Sequence, residues 1–180
     1  MLKLIKIFSI IFCVIFCILI GIGLFARPNS YFTRTQVIKS PVAVVWKHLI
    51  DIDNYQAWQS EIRKVEINKG PKIWKGATLR CYLVAYDSTI FHEERVTALE
   101  RDNSITFLRS GINKNPLFKD FKTSYTLKRL LDGTTEISVV VSYRTTSFIT
   151  RIYNQLYLRT MLAGSSYNNL AALRDLIESP

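Results

Sequence analysis

The sequence predicts an α+β domain with about seven antiparallel strands and a long C-terminal helix, behind one transmembrane helix. Three observations carry that expectation. Residues 7–26 run twenty positions without a charge. Residues 121–143 alternate apolar and polar side chains around an Asp-Gly turn. From Phe148 to Glu178 there is no proline, and the apolar period becomes helical.

The first element is the apolar run I-F-S-I-I-F-C-V-I-F-C-I-L-I-G-I-G-L-F-A. Its length suits a hydrocarbon core of ~30 Å. It exceeds the apolar region of a signal peptide, and Leu24 stands where a small residue should precede Ala26. The expectation is an uncleaved single span within residues 1–27 and one domain over residues 28–180. Lys3 and Lys6 flank the run on one side, Arg27 and Arg34 on the other, so charge barely sets orientation. A short basic head most simply stays in the cytoplasm, which places the domain on the periplasmic or outer side. Cys13 and Cys17 lie in the span and Cys81 stands alone beyond it, so no disulfide can form within the domain.

The chain carries 24 basic and 14 acidic residues, a net charge of +10. Lys3, Lys6 and Arg27 lie in a segment without acids, so the remainder keeps 21 basic against 14 acidic residues. Such a surface favours anionic partners, lipid headgroups among them, although scattered lysines also simply keep a domain soluble.

Tyr31 to Lys39 reads as the first strand. Ser40 and Pro41 suit an N-cap and a first helical position. Val44, Val45, Trp46, Leu49 and Ile50 then form one apolar helical face. Asp51 and Asp53 mark a break, after which Ile52, Tyr55 and Trp58 recur at three-residue steps. Ile62 to Asn68, Thr78 to Tyr86, Thr89 to Glu100 and Ile105 to Arg109 read as strands, with turns between them. Both faces of Thr78–Tyr86 are partly apolar, so its inner face stays open. Gly111 to Asp120 reads as a long loop. In the last hairpin Phe121, Thr123, Tyr125 and Leu127 face Ile137, Val139, Val141 and Tyr143 across Asp132-Gly133. The final helix carries a stripe of Ile149, Ile152, Leu156, Ala163, Tyr167, Leu170 and Ile177, with Tyr153, Thr160 and Gly164 beside it.

The stretch Ser40–Trp58 also carries a resemblance. Pro41, Val45, Trp46, Leu49, Asp51, Ile52, Tyr55 and Trp58 are spaced as in the opening of the START/polyketide-cyclase-like superfamily, also called SRPBCC. That resemblance implies a helix-grip fold over residues 31–178, in which a curved sheet wraps the C-terminal helix and leaves a cavity. Members hold lipids, sterols, quinones or polyketides there. The expected lining is Tyr125, Leu127, Val139, Val141 and Tyr143 from the sheet, with Tyr153, Leu156 and Thr160 from the helix. Apolar walls with a few polar tips suit a ligand pocket, but aromatic rows on a sheet face also make plain core.

Catalytic signals are weak. His48 and His92 have no metal-ligand spacing, and no cofactor motif is present. His92-Glu93-Glu94-Arg95 reads as a solvated strand face. The strands lack a nucleic-acid signature and the basic residues do not cluster. The expectation is therefore non-catalytic binding of a hydrophobic small molecule or lipid. The alternatives are a cyclase or dehydratase using the same cavity, and a scaffold whose core is filled by its own side chains.

Antiparallel pairing makes the turns alternate between two ends. The resemblance implies that the first strand pairs antiparallel with the last, so Tyr31 starts at the end holding residues 87–88, 111–120 and 145–148. The linker Ala26–Ser30 reaches under ~20 Å, which then puts that end near the bilayer. Lys114, Leu117, Phe118 and Lys119 sit in that loop, two apolar residues framed by lysines, and are the expected membrane contact with anionic headgroups.

Overall fold

The computed structural model describes residues 2–68, 70, 72–84, 90–110 and 118–179. Helix α1, Leu2–Phe25, contains 22 residues from Leu4 that are long and apolar enough to cross a membrane. It fits an anchor or a signal sequence. Strand β1 (Asn29–Ile38) leads into α2 (Val42–Ile50), a 3₁₀ turn (Ile52–Asn54) and α3 (Tyr55–Trp58). Six strands follow: β2 (Ile62–Asn68), β3 (Thr78–Leu83), β4 (Phe91–Glu100), β5 (Ser104–Ser110), β6 (Phe118–Arg129) and β7 (Thr135–Thr145). All seven form one antiparallel sheet in the order β1-β7-β6-β5-β4-β3-β2. The C-terminal helix is continuous through α4 (Phe148–Tyr153), a π turn (Asn154–Leu158) and α5 (Arg159–Glu178). Helix α5 packs on β1, α2 and α3, which is the helix-grip arrangement.

Local chemistry accounts for the elements, with three departures from expectation. Ser40 does not cap α2. Pro41 takes that place in an extended conformation, its carbonyl accepting from the N–H groups of Val44 and Val45. The Ser40 carbonyl instead accepts from Thr135 Oγ1 at 2.7 Å. Second, β6 begins at Phe118, inside the expected loop. A bulge between Lys119 and Lys122, with Asp120 at φ 54°, lets the strand resume pairing with β7. Third, β3 has a defined inner face, because Leu79 and Cys81 are both buried. The expected Asp132-Gly133 turn is present, with Gly133 at φ 82° and Asp132 accepting from the Thr134 N–H.

The C-terminal helix is capped by Ser147 and Thr150, whose side chains satisfy each other's backbone N–H groups. Its buried stripe differs from the expected one. Asn154, Leu158, Ala163, Leu170 and Leu173 turn inward, while Tyr153, Leu156 and Tyr167 face out. A π turn inserts one extra residue into the helical count and rotates everything before it relative to a regular 3.6 period. Asn154 sits at that turn, buried, accepting from Tyr143 Oη at 2.6 Å and donating to Ser30 Oγ at 2.9 Å. It thus ties the helix to β7 and β1. Tyr143→Phe removes the donor to a buried amide oxygen and is expected to cost about 1–3 kcal/mol in chemical denaturation, with the fold retained.

The pairing puts the start of β1, the end of β7 and the starts of β2, β4 and β6 at one end of the sheet. Helix α1 arrives at the same end. The ring of Phe148 lies on Gly23, where any Cβ would overlap it, so α1 and α4 approach closely only because residue 23 is glycine.

Candidate functional site

Two spaces open at the anchor end, joined through Glu61 and Ser165. The inner one lies between sheet and helix and holds only about 60 Å³. Tyr125, Val141, Phe107 and Phe121 supply its sheet wall, with Leu162 and Asn169 on the helix side. A space of that size admits a few waters, not a lipid chain.

Its wall carries a buried charge cluster. Glu94 and Arg109 are direct neighbours across β4 and β5. Arg109 Nε and Nη2 donate to Glu94 Oε1 at 3.0 and 2.8 Å, and His92 Nε2 lies 3.2 Å from the same oxygen. The guanidinium also stacks over the Phe121 ring at 4.5 Å. Glu94 is 6% exposed and His92 1%. The expectation of a solvated His-Glu-Glu-Arg face is therefore corrected: His92 and Glu94 stand in register with Val96 on the inner face, where Arg109 makes burial of the carboxylate tolerable. Burial alone would raise the Glu94 carboxyl, but Arg109 and then His92 outweigh it and hold it at about 2. Burial, with Arg109 beside it, lowers His92. A carboxylate held that low is a poor general base near neutral pH and a good fixed acceptor.

Cys81, His92 and Glu94 also bring a thiol, an imidazole and a carboxylate within 4.8 Å of one another. That donor set does not suit a cation here. The Arg109 charge already occupies Glu94, and burial pushes the Cys81 thiol up, away from the thiolate a metal would need.

The outer space is an open cleft of about 720 Å³. Leu156, Tyr157 and Met161 from the helix face Val84 at the end of β3. Each of the four is about half exposed or more, an unusual concentration of apolar surface around one concavity. Glu61 forms the polar floor, accepting from Ser165 Oγ at 3.1 Å and from Asn169 Nδ2 at 3.1 and 3.2 Å.

The expected lining thus divides. Tyr125 and Val141 reach the inner cavity. Leu127 and Val139 are buried in the core, and Tyr143 is spent on Asn154. Leu156, inside the π turn, and Thr160, just after it, line the outer cleft rather than the space under the sheet. Tyr153 is exposed and stacks on Tyr157 at 5.5 Å. Of the expected membrane contact, Lys114 and Leu117 lie outside the described residues. Phe118 turns inward, its ring 4.8 Å from Tyr143 and 5.8 Å from Phe121, and so is not offered to a bilayer. Lys119 is exposed. Sequence reasoning missed Glu61, Arg109, Asn169 and Met161. The strand alternation that places Glu94 with Val96 was the one available signal.

The family model for polyketide cyclase/dehydrase and lipid transport proteins matches residues 31–178. The chain belongs to that family. Among solved structures, that of Ara h 8.0201 superposes with a TM-score of 0.66 at 14% identity, covering 84% of this chain and 99% of its own. Ginseng major latex-like protein 151 from Panax ginseng gives 0.67 at 12% identity, with 84% and 99% covered. A protein from Nitrosospira multiformis gives 0.63 at 16%, with 83% and 97% covered. No curated protein matches the chain in sequence. At these identities the likeness is one of fold. Family and fold together suggest a helix-grip domain that binds a hydrophobic ligand.

Proposed function

We propose that the protein is a membrane-tethered binder of a hydrophobic ligand, a lipid or isoprenoid, and that it works without catalysis. Residues 1–27 are its anchor and residues 28–180 its ligand-binding domain, held on the outer side of a single span. The observation that carries this reading is the position of the outer cleft. Its apolar rim of Val84, Leu156, Tyr157 and Met161 opens at the end of the sheet where α1 arrives. A ligand leaving the bilayer would meet that rim without crossing bulk water. Its apolar body would lie on the rim, and a hydrogen-bonding head would reach Glu61 and Asn169. The inner cavity is too small for a chain, so Tyr125 and Val141 would touch at most the head.

The polar cluster keeps one alternative in view, an enzyme of cyclase or dehydratase type with Glu94 and His92 at the reacting centre. The pairing of Glu94 with Arg109 argues against it, because an acceptor neutralised by a guanidinium moves protons poorly.

Lipid extraction from the purified full chain, followed by untargeted mass measurement, tests the binding reading. Wild type is expected to carry a co-purified apolar compound. Met161→Trp, which fills the cleft from a half-exposed position, is expected to lower its occupancy at least several-fold with an unchanged melting temperature. Equal occupancy in the variant would remove the cleft from the binding site.

A further inference from the structure

A third concavity, of about 440 Å³, lies where α1 meets the domain. Arg27 and Arg159 stand in its wall with Ser30, Asn29 and Gln155, and no carboxylate among the described residues lines it. Neither arginine forms an ion pair among the described residues. Asn154, next to Gln155, holds Ser30 in place through its side-chain amide, so the polar wall is anchored to the core. The remaining rim is apolar, Ile22 and Phe25, and continues directly into the outward-facing surface of α1.

Depth within a bilayer follows from length. The 22 residues Leu4–Phe25 span about 33 Å at 1.5 Å per residue, enough for a ~30 Å hydrocarbon core. Arg27 then falls just beyond the core, at headgroup level, and Arg159 faces it from the domain. We infer that this pocket binds the phosphate headgroup of an anionic phospholipid of the surrounding leaflet, with the acyl chains lying against Ile22 and Phe25. Two unpaired guanidiniums with amide and hydroxyl donors match phosphate oxygens, and the continuous apolar rim favours a lipid over a free anion. The inference rests on the anchor reading above but not on the outer cleft.

The test uses the full chain in detergent and in nanodiscs, with native mass spectrometry counting retained lipids. Phosphatidylglycerol is expected to stay bound in preference to phosphatidylcholine, one molecule per chain. Each single change, Arg27→Gln or Arg159→Gln, is expected to weaken that retention about five-fold, and the pair about thirty-fold. Arg34→Gln removes the same charge from the exposed face of β1 and is expected to leave retention unchanged. Equal retention in the double variant, or an equal loss with Arg34→Gln, would overturn the assignment. So would displacement of the phosphatidylglycerol by an equal concentration of inorganic phosphate, which would make the pocket a free-anion site. The intact mass of the same sample reports whether α1 is retained. A mass lacking α1 would sink the anchor reading and this pocket with it, whereas loss of lipid preference in an intact chain would sink the pocket alone.

Discussion

Trp58→Ala is expected to destabilise the domain by about 3–5 kcal/mol, the largest loss from any single truncation in the short helices. Trp58 is 1% exposed at the end of α3. Its ring meets Tyr55 at 5.3 Å within the same turn and Tyr125 edge-on at 6.0 Å across to β6. Tyr125 in turn meets Phe107 of β5 edge-on at 6.3 Å. One side chain thus joins the helical layer to the middle of the sheet, and removing it leaves a cavity between the two. Its Nε1 is buried without an acceptor among the described residues, so Trp58→Phe is expected to keep most of the ring at little hydrogen-bonding cost. That variant is expected to lose less than half as much. Thermal and urea unfolding of both variants provide the measurement. A Trp58→Ala protein that melts with wild type would remove α3 from the core.

The same residue illustrates how far the sequence could be read. Pro41, Trp46, Asp51, Tyr55 and Trp58 are legible because cap chemistry, helical spacing and bulk all demand one local structure. Asp51, for instance, does accept from the Asp53 N–H at 3.2 Å, closing the predicted break. The last hairpin is legible for a similar reason: Thr135, Ile137, Val139, Val141, Tyr143 and Thr145 are buried in strict alternation. The helix was legible in extent but not in phase. One inserted residue at Asn154–Leu158 moves Leu156 and Tyr153 outward, and no local signal announces a π turn when its reason, Asn154 bonding Tyr143 and Ser30, comes from two distant strands.

The candidate site was hidden for a related reason. His92 and Glu94 carry polar side chains, and pattern reading assigns polar side chains to water. Burial becomes tolerable only through Arg109, fifteen positions later, which the β4–β5 register brings alongside. Glu61 is similar, since its partners Ser165 and Asn169 lie more than a hundred positions away. Long-range pairing of charges leaves no mark on a sequence window, whereas apolar periodicity does.

Arg109→Met should destabilise the domain at neutral pH by about 3–5 kcal/mol, because it strands a buried carboxylate without its counter-charge. The more telling result is a change of sign in the pH dependence. In wild type the Glu94 carboxyl is held at about 2, well below the ordinary 4.5 of an unfolded chain. The associated stability, about 3 kcal/mol, is fully present above pH 4.5 and is lost as the pH falls toward 2. In Arg109→Met, burial acts on Glu94 against His92 alone, a neighbour whose own charge burial disfavours, so the folded carboxyl is expected to rise above its unfolded value. Stability then becomes greatest at or below about pH 4.5 and declines as the pH rises through the raised value. Urea midpoints taken from pH 3 to pH 8 should therefore slope in opposite directions for the two proteins. Adding Glu94→Gln to Arg109→Met removes the titrating group, and is expected to flatten the slope and recover part of the loss, the coupling that a double-mutant cycle measures. A Glu94→Gln single variant with the acid sensitivity of wild type would show instead that other carboxylates set the acid limit, and that Glu94 is held by shape and not by its pairing with Arg109.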